Sequence, residues 1–243
     1  MRKIILIHFL LITLIQYAQD KGGEVEYRIV FSVDSTLKEK SSRIEFMQQK
    51  AIKGSEQINL ILTFNNKLSK FYLKESIEDP DVKFAIAWAN CRNTIYTNLE
   101  EKRSYYNSIS NSMDIVKENE FLIYDELGDS WKIYNESKKI DNFICYKATK
   151  EIKYETKNGL QTKTVTAWFS PEIPYSYGPK GYFGLPGLIL ELSDRNTTFI
   201  AEKIDLDKSQ KIEFIKKGKL ISIDEYQRIL KARFEEVKNN LKD

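Results

Sequence analysis

The sequence predicts a mainly β, α+β domain: one antiparallel sheet with a helix at its C-terminal end. Three observations carry this. Short strand-like runs separated by polar turns fill residues 24–204. The first of them, Glu24 to Val33, alternates Val25, Tyr27, Ile29 and Phe31 with Glu24, Glu26, Arg28 and Val30, the period of a half-buried strand. Apolar residues take up a sustained helical spacing only near the end, at Tyr226, Ile229, Leu230, Phe234, Val237 and Leu241.

The stretch MRKIILIHFLLITLIQYAQ reads as a signal peptide, with basic Arg2 and Lys3, an apolar segment from Ile4 to Ile15, and cleavage after Gln19. Its apolar segment is too short for a comfortable membrane span. One domain is then expected over residues 20–243. A turn at Asp34-Ser35-Thr36 closes the first strand. Residues 36–55 are charged around Ile44, Phe46 and Met47 and suit a helix or an insertion. Ile58 to Phe64 and Lys70 to Leu73, split by Asn65-Asn66, suit a hairpin. After Asp79-Pro80-Asp81, the run FAIAWA suits either a short helix or a buried strand.

Thr94 to Leu99, Arg103 to Tyr106 and Phe121 to Tyr124 continue the strand pattern. Trp131 to Asn135, Phe143 to Tyr154 and Leu160 to Phe169 then form a meander, with a hairpin turn at Lys157-Asn158-Gly159. In the middle strand, Ile144, Tyr146, Ala148, Ile152 and Tyr154 share the face expected to meet a core. Farther on, Leu188, Leu190 and Leu192 share one face, with Ile189 and Glu191 opposite. Asp194 to Thr197 turns that strand into its partner, Thr198 to Ile204. Ser222-Ile223-Asp224-Glu225 is a capping box, opening a helix over residues 222–242. Its charges balance, so packing against the sheet is expected rather than lying on a membrane surface.

Composition removes several function classes. The chain is 42% hydrophobic and 12% aromatic, enough for a packed core. Loss of Arg2 and Lys3 leaves 36 basic against 35 acidic residues, so no nucleic-acid partner is implied. His8 is the only histidine and lies in the signal segment. The mature chain therefore has no Ser-His-Asp or Cys-His catalysis and no His-ligated zinc. No cofactor and no metal are implied. Cys91 and Cys145 are the only cysteines; in an oxidising compartment they suit a disulfide, and otherwise two buried thiols. Carboxylates remain available for acid–base work, but Asp125, Glu126, Glu172 and Glu191 form no paired motif, and no catalytic residue is assigned.

The most distinctive stretch is 171–187. Four of the five prolines fall there beside Gly178, Gly181, Gly184 and Gly187. A phosphate loop needs free N–H groups at a helix N-terminus and a Lys-Ser/Thr pair. Here prolines remove donors and LILEL, a strand, comes next. A rigid turn feeding that strand is the expectation. Its aromatics, Tyr175, Tyr177, Tyr182 and Phe183, could close the core or line a pocket mouth.

AWFSPEIPYSYGPKGYFGLPGLILEL (167–192) resembles the signature of the bacterial GLPGLI family, spelled by Gly184-Leu185-Pro186-Gly187-Leu188-Ile189. Trp168, Phe169, Pro171, Pro174, Gly178 and Pro179 belong to the same signature. Upstream, WKIYNESKKIDNFICYKAT (131–149) is similar to the family's W-K-I…G-Y-x-C-x-K-A stretch, with Asn142-Phe143 standing where Gly-Tyr is usual. The resemblance implies an exported protein without an established activity. Its pattern also looks like the half-open β-barrels of periplasmic lipoprotein carriers, so a curved antiparallel sheet or half-open barrel is expected, sheltering an apolar or peptide-like ligand or docking on an outer-membrane partner. A carboxylate-dependent hydrolase and a purely structural envelope protein are the alternatives.

Overall fold

The computed structural model describes residues 22–32, 42–74, 78–110, 115–126, 130–156, 159–208, 211–214 and 216–240. The signal segment, its cleavage point and the turn at 34–36 lie outside the described residues. So do Lys157-Asn158 and Leu241.

Among the described residues, twelve strands form one sheet: β1 Gly22–Phe31, β2 Leu60–Asn65, β3 Leu68–Leu73, β4 Ile95–Asn98, β5 Arg103–Asn107, β6 Phe121–Asp125, β7 Lys132–Ile140, β8 Phe143–Thr156, β9 Gly159–Ser170, β10 Leu188–Asp194, β11 Thr197–Asp205 and β12 Lys219–Ser222. Their order across the sheet is β12-β6-β5-β4-β3-β2-β1-β11-β10-β9-β8-β7. Every described neighbour pair is antiparallel except β12 with β6, which is parallel. The sheet is therefore mixed rather than antiparallel throughout. The chain leaves β11 in the middle of the sheet, crosses to the far edge and enters β12 in the direction of β6.

The sheet does not close, yet it cannot be flat. β6 and β7 stand ten strand spacings apart, about 48 Å in a flat sheet. Residues 126–131 join them, a connection that reaches about 25 Å at most. Only a strongly curled sheet satisfies both lengths. Side chains from the two halves meet accordingly. Buried Lys150 on β8 lies over the Trp131 ring, 5.7 Å away, and its charge is felt by Asp125 at the end of β6.

Alternation sets the inner face as expected in β1, where Val25, Tyr27 and Ile29 are buried and Arg28 is exposed. Tyr27 and Phe199 each meet Phe71 edge-on, with ring centroids 6.2 Å apart in both pairs. Burying each such ring contributes about 2–3 kcal/mol. Two alternations fail. In β8, Ile144 is 52% exposed while Cys145 is fully buried. Just beyond that stretch, opposite Tyr146 to Ala148, β7 slips register between Ile133 and Ser137, an irregularity that twists the edge. In β10, Ile189 stands opposite Phe169 and Leu192 opposite Ala167, with Leu190 left over as a bulge. The bulge turns Ile189 to the same row as Leu192, and Leu188, Ile189, Leu190 and Leu192 are all buried.

Three helices among the described residues accompany the sheet: α1 Ser42–Ser55, α2 Pro80–Trp88 and α3 Ile223–Asn240. FAIAWA is thus helical. Asp79 caps α2 by accepting from the Asp81 and Val82 N–H groups, and Pro80 occupies the first turn, where its missing N–H costs nothing. Val82, Ala85 and Ile86 are buried in the main core. At the start of α3, Ser222 Oγ accepts from the Glu225 N–H at 3.2 Å, the serine half of the expected capping box. It does not cross the sheet. Tyr226, Ile229, Leu230 and Val237 pack on a separate small core of Ile115, Val116, Phe121, Ile123 and Ile221 at the β6–β12 edge.

An ion pair holds α3 there. Arg233 donates to both oxygens of Glu120, at 3.1 and 2.7 Å, and to the Ile115 carbonyl. The guanidinium, helped by the Lys117 N–H, holds the Glu120 carboxyl at about 2, below its usual 4.5. A depressed carboxylate contributes stability that is complete above its unfolded value and lost as pH falls through its folded one. Because the pair is partly solvated its contribution is small. Glu120→Gln should melt about 1–3 °C below the wild type at pH 6, and that gap should close as pH is lowered from 4.5 to 2 in parallel thermal scans.

Candidate functional site

The segment between β9 and β10 lies on the inner face and fills it. Ile173, Tyr177, Pro179, Tyr182, Phe183 and Leu185 are buried, while Tyr175 is half-buried with its ring 4.7 Å from that of Phe64. Tyr177 approaches Phe64 as well, at 6.2 Å. Pro171, Pro174 and Pro186 stand exposed at the bends. Ser176 ties the two arms together: its hydroxyl donates to the Leu185 carbonyl at 2.8 Å and accepts from the Gly184 N–H at 3.0 Å. The Trp131 indole N–H donates to the Phe183 carbonyl at 2.8 Å and its ring meets Tyr182 edge-on.

The bulge at Leu190 is what receives this loop. The Ile189 N–H donates to the Tyr177 carbonyl at 2.9 Å, and the Ile189 carbonyl accepts from the buried Tyr27 hydroxyl at 2.6 Å. Two glycines permit the close approach. A Cβ on Gly178 would sit 2.7 Å from the Ile189 side chain, and one on Gly187 would sit 2.1 Å from the Ser170 carbonyl oxygen. Gly184 is needed for its conformation, with φ at +96°. On β9, Phe169 is buried beside Tyr146. Trp168 is half-buried beneath the Lys138 ammonium, which also pairs with Glu191 at 2.6 Å.

Cys91 and Cys145 are both free and buried. Each thiol turns to a nearby carbonyl, Cys91 to that of Ile86 and Cys145 to that of Phe143, so the disulfide considered from the sequence is not present. Burial pushes both thiols up to about 11, away from the thiolate form that reacts.

Where the loop's 3₁₀ turn, Pro179–Gly181, meets the end of α2 and the β10–β11 turn, it leaves a hollow of about 470 Å³. Trp88, Asn90, Lys163, Lys180, Asp194 and Arg195 line it. Lys163 donates to both Asp194 oxygens, at 2.7 and 2.6 Å, and Tyr182 donates to the same carboxylate at 3.4 Å. Lys180 donates to the Asn90 carbonyl and, at 3.5 Å, to that of Ala89, sealing the C-terminal end of α2. Burial lowers the proton affinity of its ammonium and raises that of the Tyr182 hydroxyl. Lys180 and Arg195 are cations of the kind that orient an anion. Among the described residues, no group of three metal-ligating side chains is assembled.

Sequence patterns do not single out these lining residues. The one available signal is Lys180, the sole charge within the apolar YGPKGYFGLPG run. Trp88, Lys163 and Arg195 come from other elements: strand register sets Lys163 beside the β10–β11 turn, and α2 brings Trp88.

Residues 131–191 match a family model described as a protein of unknown function (Porph_ging). No match to the sequence exists among curated proteins. Two solved structures are similar in fold. PNGF-II in a P21 crystal form superposes with a TM-score of 0.51 at 13% identity, covering 88% of this chain and 34% of that one. The same protein in a C2 form gives 0.49 at 13% identity, over 88% and 33%. The chain thus spans about a third of that protein's length, and at this identity the likeness is one of fold alone. Among the described residues no helix is long and apolar enough to cross a membrane.

The junction at Ile189 yields a paired prediction. The Tyr177 hydroxyl is buried with no hydrogen-bond partner among the described residues, whereas that of Tyr27 is bonded. Tyr27→Phe should cost about 1–3 kcal/mol in urea unfolding because it orphans a buried carbonyl, while Tyr177→Phe should be neutral or stabilising. Gly178→Ala should cost about 1–3 kcal/mol through overpacking.

Proposed function

We propose that this chain is an exported envelope protein of the GLPGLI type, acting as a non-catalytic binding or accessory module on a curved, half-open β-barrel. The family naming rests on Gly184-Leu185-Pro186-Gly187-Leu188-Ile189 and the upstream Trp131 to Thr149 stretch. Export rests on the sequence of residues 1–19. The half-open barrel is supported by the curl that residues 126–131 demand of a sheet with two free edges.

The observation that carries the binding role is the position of the signature loop. In an apolar carrier the concave face would be empty. Here Ile173, Tyr177, Tyr182, Phe183 and Leu185 occupy it. The module therefore meets its partner at the rim, where the loop, α2 and the β10–β11 turn surround the charged hollow. A peptide-like ligand or an exposed segment of an outer-membrane protein suits such a polar rim better than a lipid does.

Crosslinking in intact cells, followed by purification of the envelope fraction and native mass spectrometry, tests this. The expected outcome is a mature chain beginning at Asp20 that carries a crosslinked partner or a bound mass. A clean, ligand-free mass with no partner, or recovery of the unprocessed chain from the cytoplasm, would contradict it.

A further inference from the structure

The hollow beside Lys180 holds more positive charge than its own residues neutralise. Lys163 is committed to both oxygens of Asp194. Lys180 donates only to the neutral carbonyls of Asn90 and Ala89. The Arg195 guanidinium lies 4.5 Å from the Tyr154 ring and has no carboxylate partner among the described residues. Two cations without an ion-pair partner among the described residues therefore share one cavity, one on the signature loop and one on the β10–β11 turn.

Backbone strain converges on the same place. Six described non-glycine residues adopt a left-handed φ, and Asn90 (49°), Lys180 (60°) and Arg195 (56°) all line this hollow. Asparagine tolerates that conformation, but for lysine and arginine it costs about 1–2 kcal/mol each. Strain of this kind concentrates where a site is held in a functional geometry. Capping α2 accounts for the position of Lys180, and the two-residue hairpin turn between the paired Asp194 and Thr197 accounts for the φ of Arg195; neither accounts for the space between the two cations. Trp88, 38% exposed beside Asn90, adds a flat apolar wall.

We infer that the hollow binds an organic monoanion whose carboxylate is drawn to Lys180 and Arg195 and whose flat apolar part lies against Trp88. The C-terminal carboxylate of a peptide ending in an aromatic residue has this chemistry. A carboxylate fits better than a phosphate dianion because the hollow is bordered by the C-terminal end of α2. That end presents carbonyl oxygens and the negative pole of the helix. The inference rests on the binding-module reading and names the ligand class for it.

Calorimetric titration of the purified mature chain at low salt tests it, with N-acetyl-L-phenylalanine, its neutral amide and inorganic phosphate as probes. The acid should bind at least tenfold more tightly than the amide or phosphate. Its affinity should fall at least fivefold in Arg195→Gln and in Lys180→Met. Because Lys180 also caps α2, the Arg195→Gln variant, on an exposed turn, decides the matter if Lys180→Met unfolds early. Equal binding of acid and amide, no binding of the acid, tighter phosphate binding, or an unchanged affinity in Arg195→Gln would each overturn it. A partner captured from cells by a chain that binds no carboxylate would leave the module reading standing and remove only this ligand class.

Discussion

A twelve-stranded sheet whose sixth and seventh strands are joined by residues 126–131 must curl. That single length constraint shapes most of the remaining architecture. A curled sheet of this kind has an inner face too apolar to leave open. The chain meets the problem with its own segment 171–187, folded inward and packed on Phe64 and Trp131. The bulge at Leu190 supplies the docking point. Beside it the Ile189 N–H donates to the Tyr177 carbonyl and the Ile189 carbonyl accepts from the Tyr27 hydroxyl. Curl, plug and bulge are thus one device seen at three scales.

Much of this architecture was legible in the amino-acid order. Alternation located β1 and the long β8–β9 hairpin, and the capping box located the start of α3. Four prolines among four glycines marked 171–187 as a rigid turn rather than a phosphate cradle. What escaped sequence reading were the events that break periodicity. The bulge at Leu190 turns Ile189 onto the face of Leu192 and away from Glu191, and nothing in LILEL distinguishes a bulged strand from a regular one. The exchange of faces at Ile144 and Cys145 is lost for the same reason. The parallel pairing of β12 with β6 depends on where a crossover lands, which no local pattern encodes.

The candidate site was less legible than the fold. Its residues come from β9, the signature loop and the β10–β11 turn, which follow one another in sequence, and from α2, which is about 75 residues earlier. Lys163 and Asp194 each look like ordinary solvated charges until the register brings them within 2.7 Å. The aromatics Tyr175, Tyr177, Tyr182 and Phe183 admitted two roles from sequence alone. In the structure Tyr177, Tyr182 and Phe183 are buried in the core, and only Tyr175 retains substantial exposure. Their burial fills the interior of the sheet and leaves the charged hollow at its rim. There the signature contributes a cation and a strained turn rather than an apolar surface. The letters of the motif therefore serve two ends: most of them build the plug, and Lys180 faces outward from it into the hollow.

Amide hydrogen exchange across residues 171–187 measures the central claim most directly. If the loop is the filling of a curled sheet, the amides of Tyr177, Tyr182, Gly184 and Gly187 should exchange only through the same global opening as the amides of β1 and β10. Exchange of that segment within seconds, while β1 and β10 stay protected, would show a mobile lid over an open concave face and would contradict a plugged sheet.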